Sequence, residues 1–219
     1  MFWNDASRNL SIQFHHIINK MVSLTLSTPE LGNMDEFLAM AHRRKYPRGS
    51  MIISAGEKSD SIYYITKGSV TVLIEDESGR EIIVAYLNEG DFFGEMAMFG
   101  DRTRSAWVKS KTECEVAELG YSKFAELSSR DSGLLYNLAS QLAHRLDKTT
   151  QKVSDLAFLD VTGRVARALL DLCNEPDAMT HPDGMQIKVT RQEIGRLVGC
   201  SREMAGRVLK TLEEQGLVS

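Results

Sequence analysis

The first half of the chain repeats short apolar runs that are separated by glycines at nearly constant spacing. The glycines are Gly56, Gly68, Gly79 and Gly90, and the runs beside them read SMIISA, SIYYIT, SVTVLIE and EIIVAYL. AWVKSKTECEVAELG continues the pattern over 106–120, and DESGR predicts a hairpin turn because Gly79 can take a positive φ. Short strands with turn residues every ~8–12 positions indicate a β sandwich or barrel-like roll. MDEFLAMA, just before it, predicts a short helix.

After Tyr121 the apolar period becomes helical. A four–three spacing, the a and d pattern of a coiled coil, runs through Leu135, Ala139, Leu142, Leu146, Thr149, Val153 and Leu156. This stripe is long and narrow, which favours a parallel dimer of two such helices; the alternative is a single helix lying on its own domain. Thr149 is polar within the stripe, and such a residue costs stability unless it has a role.

The helix is expected to break at Phe158–Asp160. Asp160 is a good N-cap for a new helix over VTGRVARALLDLCNE. The segment 175–185, EPDAMTHPDGM, contains two prolines and predicts a loop, and QIKVT predicts a short strand after it.

The last element predicts two short helices joined by a glycine turn. Thr190 and Glu193 form a capping box at the start of the first helix. Gly199 lies in the turn, Ser201 caps the second helix and Gly216 ends it. Two short helices in this arrangement are a helix-turn-helix.

The charge of the chain is acidic overall and basic only locally. Its 26 Lys+Arg and 30 Asp+Glu give a net charge of -4 over 219 residues, so a nucleic-acid partner must meet a local patch. The stretch 188–210 provides one, with six basic and two acidic residues. Arg202 can grip guanine bidentately, Glu203 can accept from cytosine, and Arg207 lies on a later turn. These features favour DNA reading; the alternative is a helical packing domain with a solvated charged face.

Composition argues against several other classes. Cys114, Cys173 and Cys200 are scattered, which indicates a reducing compartment without disulfides. No run approaches ~18 consecutive apolar residues, and the N-terminus lacks the features of a signal peptide, so a cytoplasmic protein is expected. The adjacent His15-His16 pair is poorly spaced for metal ligation. The sequence shows no phosphate-binding loop, no catalytic-triad spacing and no cluster of metal ligands. We therefore expect no catalytic residue, and we do not expect an enzyme such as a metal-dependent cupin, which uses a similar roll.

The segment GDFFGEMAMFGDRTRSAWV, residues 90–108, carries charged residues inside an otherwise strand-like region. Backbone N–H groups at Gly94 and Glu95, the charge of Arg104 and the hydroxyl of Ser105 suit one phosphate. Glu95 would repel a phosphate and instead suits a sugar hydroxyl. A 3′,5′-cyclic nucleotide has both features; the alternative is a structural ion pair between Glu95 and Arg104.

Several segments resemble the bacterial cyclic-nucleotide-responsive transcription regulators of the cyclic AMP receptor type. They are GDFFGEMAMF, RSAWVKSKTECEVAE, LAFLDVTGRVA, PDAMTHPDGMQIKVTRQEIG and VGCSREMAGRVLK, and the resemblance runs nearly continuously from Met34 to Ser219. It implies an α+β fold with an N-terminal jelly-roll-like β-roll that binds a cyclic nucleotide, a long dimerisation helix and a C-terminal winged helix-turn-helix. It also implies a homodimeric regulator that binds cyclic AMP, palindromic double-stranded DNA and RNA polymerase.

The resemblance also implies which residues do this. Cyclic AMP would contact Gly94, Glu95, Arg104, Ser105, Thr149 and, from the other subunit, Thr150. DNA would contact Arg191, Gln192, Ser201, Arg202, Glu203 and Arg207. RNA polymerase would contact the loop Ala178–Gly184, with His42 and Lys123 as a second contact.

We expect four parts in the chain: an N-terminal extension over 1–33, the β-roll over 34–133, the dimerisation helix and hinge over 134–159, and the DNA-binding domain over 160–219. Three features depart from the family pattern. The loop between Phe99 and Arg104 is one residue shorter, and the extension has no counterpart. The sequence given stops where the family continues into a wing, so we expect a wing that is either truncated or absent. Rival effectors are cyclic GMP and cyclic di-GMP, and a protein that needs no nucleotide is a further alternative.

Overall fold

A computed structural model of the chain describes residues 34–100, 103–182 and 184–219. The predicted extension, its two histidines and part of the loop before Arg104 lie outside the described residues. The helices are α1 Met34–Met40, α2 Met96–Phe99, α3 Tyr121–Arg130, α4 Gly133–Phe158, α5 Val161–Leu172, α6 Arg191–Val198 and α7 Arg202–Glu214. The strands are β1 His42–Tyr46, β2 Met51–Ile53, β3 Ser61–Lys67, β4 Val70–Glu75, β5 Glu81–Leu87, β6 Phe92–Phe93, β7 Trp107–Ser110, β8 Cys114–Gly120, β9 Met179–His181 and β10 Gly184–Gln186.

Eight of these strands form a roll of two antiparallel sheets. One sheet has the order β1-β8-β3-β6 and the other β2-β7-β4-β5. Ile65, Val70, Val108 and Val116 are among the buried side chains packed between the sheets. The β-roll predicted from the glycine-spaced runs is therefore confirmed. The turn at Gly79 is also as predicted: its φ is +78° and it joins the paired strands β4 and β5.

The strand β1 was not predicted, because the pattern suggested only a helix before the roll. Its sequence HRRKY carries four basic or histidine side chains and no apolar alternation. The strand forms because β8 lies alongside and supplies acidic partners: Arg44 pairs with Glu118 at 3.3 Å, and Lys45 pairs with Glu115 at 3.6 Å. Opposite charges across neighbouring strands support the pairing.

The long helix α4 presents two faces. Leu134 and Leu138 are buried in a cluster with Phe37 and Phe124 of the roll and its flanking helices. The predicted a and d stripe lies on the other face, where Leu146 is 68% exposed and Leu156 is 59% exposed. The helix therefore packs on its own domain, with Leu142 of the stripe partly buried against the same cluster, and leaves the rest of the stripe exposed; the parallel dimer stays a prediction. It ends at Phe158, and the Asp160 carboxylate caps α5 by accepting from the Gly163 N–H at 2.8 Å, as predicted.

Helices α5, α6 and α7 form the C-terminal domain around a small apolar core that includes Val165, Ile194, Ala205 and Leu212. The predicted helix-turn-helix is confirmed. Gly199 takes φ +71° at the end of α6, a left-handed conformation that glycine adopts without strain.

Two local predictions in this domain need correction. The segment predicted as a loop contains the hairpin β9–β10, and QIKVT is not a strand beyond Gln186. The capping box is only half formed. Thr190 accepts from the Glu193 N–H at 3.1 Å, but the Glu193 carboxylate bonds the Tyr86 hydroxyl of the roll rather than returning to the helix start.

Candidate functional site

The predicted pocket begins at a turn that only glycine can make. Gly94 follows β6 directly and has φ +78°. A Cβ atom built on it would lie 2.6 Å from Nη1 of Arg104. The missing side chain therefore lets the guanidinium lie against the backbone of the turn, so the structure brings these two predicted residues together.

Arg104 is a buried cation with a defined orientation. It is 8% exposed, Nη1 donates to the Gly94 carbonyl at 2.9 Å, and Nη2 donates to the Ser61 hydroxyl at 3.2 Å. The guanidinium carbon lies 5.3 Å from the centre of the Tyr63 ring, and burial raises the pKa of that phenol. A buried cation held by neutral partners is suited to an anionic ligand.

The other predicted contacts of the turn are placed differently. Ser105 follows Arg104 and is exposed, with its hydroxyl 3.5 Å from the Met96 sulfur. Glu95 is 5% exposed and its carboxylate does not pair with Arg104. It pairs instead with Arg145 of α4, at 3.3 Å. The alternative of a structural Glu95–Arg104 ion pair is therefore wrong.

Arg145 is the side chain of the candidate site that sequence reasoning missed. Besides Glu95, it bonds the Phe92 carbonyl and lies 3.7 Å from Asp91. It thus fixes α4 to the turn that carries the pocket. The available signal was its place four residues before Thr149, on the flank of the apolar stripe.

Thr149 and Thr150 lie on the exposed surface of α4, in the turn after Arg145. Thr149 donates to the Arg145 carbonyl at 2.8 Å, and Thr150 donates to the Leu146 carbonyl at 2.9 Å. Neither hydroxyl is bonded to Arg104 or Glu95. The structure therefore places Thr149 within the stripe and Thr150 beside it, in the turn after the residue that reaches the pocket.

The predicted DNA-reading face is open. Arg191, Gln192, Arg202, Glu203 and Arg207 are all exposed along the start of α6 and one side of α7. Hydrogen bonds to its own backbone N–H and to the N-cap serine hold the pKa of the Glu203 carboxyl below its usual range, so it stays an acceptor at neutral pH. The hydroxyl of Ser201 is used within the protein, since it accepts from the Met204 N–H at 3.2 Å.

No group of three or more His, Cys, Asp or Glu side chains in the part of the chain that the structure describes is placed to hold a metal ion. None of the helices in the described ranges is both long enough and apolar enough to span a bilayer.

Comparison with known proteins agrees with this two-part organisation. The family model for a cyclic nucleotide-binding domain matches residues 43–131, and the model for bacterial regulatory proteins of the crp family matches residues 187–218. The cAMP-activated global transcriptional regulator Vfr of Pseudomonas aeruginosa is 65% identical over 90% of this chain and 94% of its own length. The cAMP-activated global transcriptional regulator CRP of Salmonella typhimurium is 58% identical over 85% of this chain and 89% of its own length.

Solved structures give the same result. The c-di-GMP responsive global regulator CLP of Xanthomonas campestris superposes with a TM-score of 0.80 at 46% identity, over 84% of this chain and 92% of that one. Vfr and CRP are named as transcriptional regulators rather than enzymes. By this identity and coverage, the chain belongs to the crp family of bacterial regulatory proteins, with a cyclic nucleotide-binding domain ahead of a helix-turn-helix.

Proposed function

We propose that this protein is a cytoplasmic, homodimeric transcription regulator that binds cyclic AMP, then binds palindromic promoter sites and contacts RNA polymerase. The observation that carries the proposal is the separation of charges in the pocket. Arg145 neutralises Glu95, so Arg104 has no acidic partner among the described residues of the turn and keeps its charge for a phosphate. The proposed parts are an extension over 1–33, the ligand-binding roll over 34–133, the dimerisation helix and hinge over 134–159 and the DNA-binding domain over 160–219.

Each group in the pocket has a proposed role toward the ligand. Arg104 binds the phosphate, and Ser105 with the backbone of Gly94 completes that contact. Glu95 accepts a hydrogen bond from the ribose 2′-hydroxyl, because a buried carboxylate is a strong acceptor for a neutral donor. Thr149 of one subunit and the equivalent of Thr150 from its partner close the pocket over the purine.

A titration separates this proposal from its main rival. The rival is a response to cyclic di-GMP, which the Xanthomonas structure favours because that regulator is named for this effector. Calorimetry with cyclic AMP, cyclic GMP and cyclic di-GMP should give the tightest binding for cyclic AMP. Tighter binding of cyclic di-GMP would overturn the choice of ligand, and binding of none of the three would overturn the proposal of a cyclic nucleotide effector.

The homodimer is supported by the uncovered stripe on α4. Its apolar positions include Leu135, Leu146, Val153 and Leu156, each at least 41% exposed, and a contiguous apolar face of this length marks an interface. Leu146→Glu should therefore shift the protein from dimer to monomer in sedimentation velocity. The matched control is Leu170→Glu on α5, where the leucine is 63% exposed but lies off the stripe. A monomeric wild type, or a Leu146→Glu protein that stays dimeric, would count against the proposed dimer.

Polymerase contact is proposed for two surfaces that the structure leaves open. One is the hairpin within 178–184 and its return strand, whose described residues Met179–His181 are exposed. The other combines exposed His42 at the start of β1 with exposed Lys123 on α3. In transcription with purified components, Thr180→Ala should lower activation while leaving promoter binding intact. Equal loss of both would assign the hairpin to DNA binding instead.

A further inference from the structure

A single phenol joins three segments of the proposed phosphate site. The Tyr121 hydroxyl lies 2.5 Å from the Gly94 carbonyl, 2.5 Å from the Ser59 hydroxyl and 3.4 Å from Nη1 of Arg104. Tyr121 is the first residue of α3, far in sequence from the turn. Its hydroxyl therefore connects the helix to the loop before β3, to the glycine turn and to the buried arginine.

The donors and acceptors around this hydroxyl allow one consistent assignment of hydrogen-bond directions. A phenol has one proton to donate and two lone pairs to accept with. The Gly94 carbonyl can only accept, so it takes the phenol proton. Ser59 and Arg104 then donate to the phenol oxygen, and all three contacts are satisfied at once.

We propose that Tyr121 is a positioning residue that sets which way the Arg104 guanidinium points at the ligand phosphate. The Tyr121 oxygen and the Gly94 carbonyl hold Nη1, while the Ser61 hydroxyl holds Nη2. Among the described residues these contacts use three of the five N–H groups of the guanidinium, and the others are left for phosphate oxygens. Two anchored ends fix the plane of the group before the ligand arrives, which reduces the cost of ordering it on binding.

The test compares the cyclic AMP affinity of Tyr121→Phe with that of the wild type. The inference therefore rests on the proposed binding of cyclic AMP. Tyr64→Phe is the matched control, because it removes a phenol oxygen from the same domain, on β3, at a ring packed on Phe92. Calorimetry with cyclic AMP should show binding weakened about three- to ten-fold in Tyr121→Phe, the effect of losing one hydrogen bond. The control should stay within about two-fold of wild type.

Two phosphorothioate diastereomers of cyclic AMP separate positioning from general loosening of the roll. They place sulfur at one or the other exocyclic phosphate position, so the ratio of their affinities reports the direction of the guanidinium. That ratio should fall toward one in Tyr121→Phe, and the Tyr121→Phe effect should shrink when Arg104 is already Lys. An unchanged ratio and affinity would overturn the positioning role alone, whereas a wild type that binds no cyclic AMP would overturn the proposed function together with it.

A separate observation concerns the contact between the roll and the DNA-binding domain. Four polar side-chain pairs cross it: Tyr86–Glu193 at 2.5 Å, Glu81–Arg196 at 2.7 Å, Lys111–Asp177 at 2.9 Å and Asn88–Glu175 at 3.0 Å. The Lys111 ammonium also lies 4.3 Å from the centre of the Tyr86 ring. The Glu193 carboxylate is the one that a complete capping box would have used within α6, so the interdomain bond replaces a local one.

From these four pairs we infer a latch that holds the helix-turn-helix on its own roll in an orientation that can bind DNA. The contact uses the inner side of α6, while Arg191, Arg202 and Arg207 remain exposed. Burial and the Glu193 carboxylate both raise the pKa of the Tyr86 phenol, so the phenol stays a donor at neutral pH. A domain that is already oriented loses less freedom when it meets DNA.

The test of the latch is Tyr86→Phe, because this side chain lies on the roll and removes no charge from the DNA-binding domain. With cyclic AMP saturating, DNA affinity should fall about three- to ten-fold, hydrogen exchange across α6 should speed up, and cyclic AMP affinity should stay within about two-fold. Tyr64→Phe again serves as the control. Unchanged DNA affinity and exchange would overturn the latch, and a rise in DNA affinity would overturn its sign, since docking would then oppose DNA binding. A wild type that binds no DNA would instead refute the proposed function.

Discussion

Glu95 provides the sharpest test of the ligand assignment, because its proposed partner is a single oxygen atom. Its side chain is 7% exposed and pairs with Arg145 at 3.3 Å. If it accepts from the ribose 2′-hydroxyl, a 2′-deoxy analogue of cyclic AMP should bind the wild type less tightly. With Glu95→Ala the two ligands should bind alike, because the acceptor that tells them apart is gone.

The size of the effect follows from what the carboxylate keeps. A hydrogen bond to a charged group is worth about 1.5–3 kcal/mol. Arg145 still neutralises Glu95 when the 2′-hydroxyl is missing, so no unpaired charge is left behind and the lower half of that range applies. About 1.5–2 kcal/mol corresponds to roughly 10- to 30-fold in affinity.

The assay is calorimetric titration of both ligands into wild type, Glu95→Ala and a charge-matched control. Glu115→Ala serves as that control, since Glu115 is an acidic residue of the same roll that pairs with basic side chains of β1. The control should keep the full preference for the 2′-hydroxyl. If wild type and Glu95→Ala treat the two ligands alike, Glu95 serves only to hold Arg145 and α4, and the ribose assignment fails.

Three further outcomes are expected. Arg104→Leu should abolish cyclic nucleotide binding. It should also lower the free energy of unfolding by about 1–3 kcal/mol, because three polar partners lose a buried donor. Unaltered binding in a calorimetric titration would contradict the assignment of Arg104 to the phosphate site. Arg202→Ala should cost about 1–3 kcal/mol of binding free energy on the preferred palindrome, whose half-sites lie about 10 base pairs apart, and should relax specificity at one base pair. Lys188→Ala should weaken binding to all DNA sequences alike and reduce the salt dependence of binding by about one ion. Binding-site selection with cyclic AMP present distinguishes the two variants, and a non-palindromic preferred site would contradict the dimer. Burial lowers the pKa of Lys152 below its usual 10.5. Because the unfolded chain holds this proton more tightly, the free energy of unfolding should rise with pH between the lowered pKa and 10.5. Denaturant titrations over that pH window should show this rise in the wild type, and the Lys152→Met variant should lack it.

The regular parts of the fold were predictable because their signals are local. The glycine-spaced runs predicted the roll, and the stripe from Leu135 to Leu156 predicted a long helix with one apolar face. Thr190, Gly199 and Ser201 predicted the limits of the helix-turn-helix, since each acts on the backbone within a few residues of itself.

The missed elements all depend on partners that are distant in sequence. β1 is stabilised by acidic residues of β8, some 70 positions later, and nothing in HRRKY itself favours a strand. The Glu193 carboxylate bonds Tyr86, 107 positions away, so the capping motif was correct for Thr190 only. Arg145 was missed for the same reason, because its partners Asp91 and Glu95 lie on either side of β6 and not on its own helix.

Helix α4 shows how a local pattern and a distant contact meet in one element. Leu134 and Leu138 fix it to the roll, Arg145 fixes it to Glu95 in the pocket, and the stripe that includes Leu146 stays exposed. Under the proposed function, a ligand that engages Glu95 acts through Arg145 on the same element that carries the proposed dimer face and that ends at the proposed hinge, because all of these positions lie on one helix. Within the proposed function, the equilibrium that the ligand shifts is therefore one between arrangements of α4, and a ligand moves it only by as much as it binds one arrangement more tightly than the other.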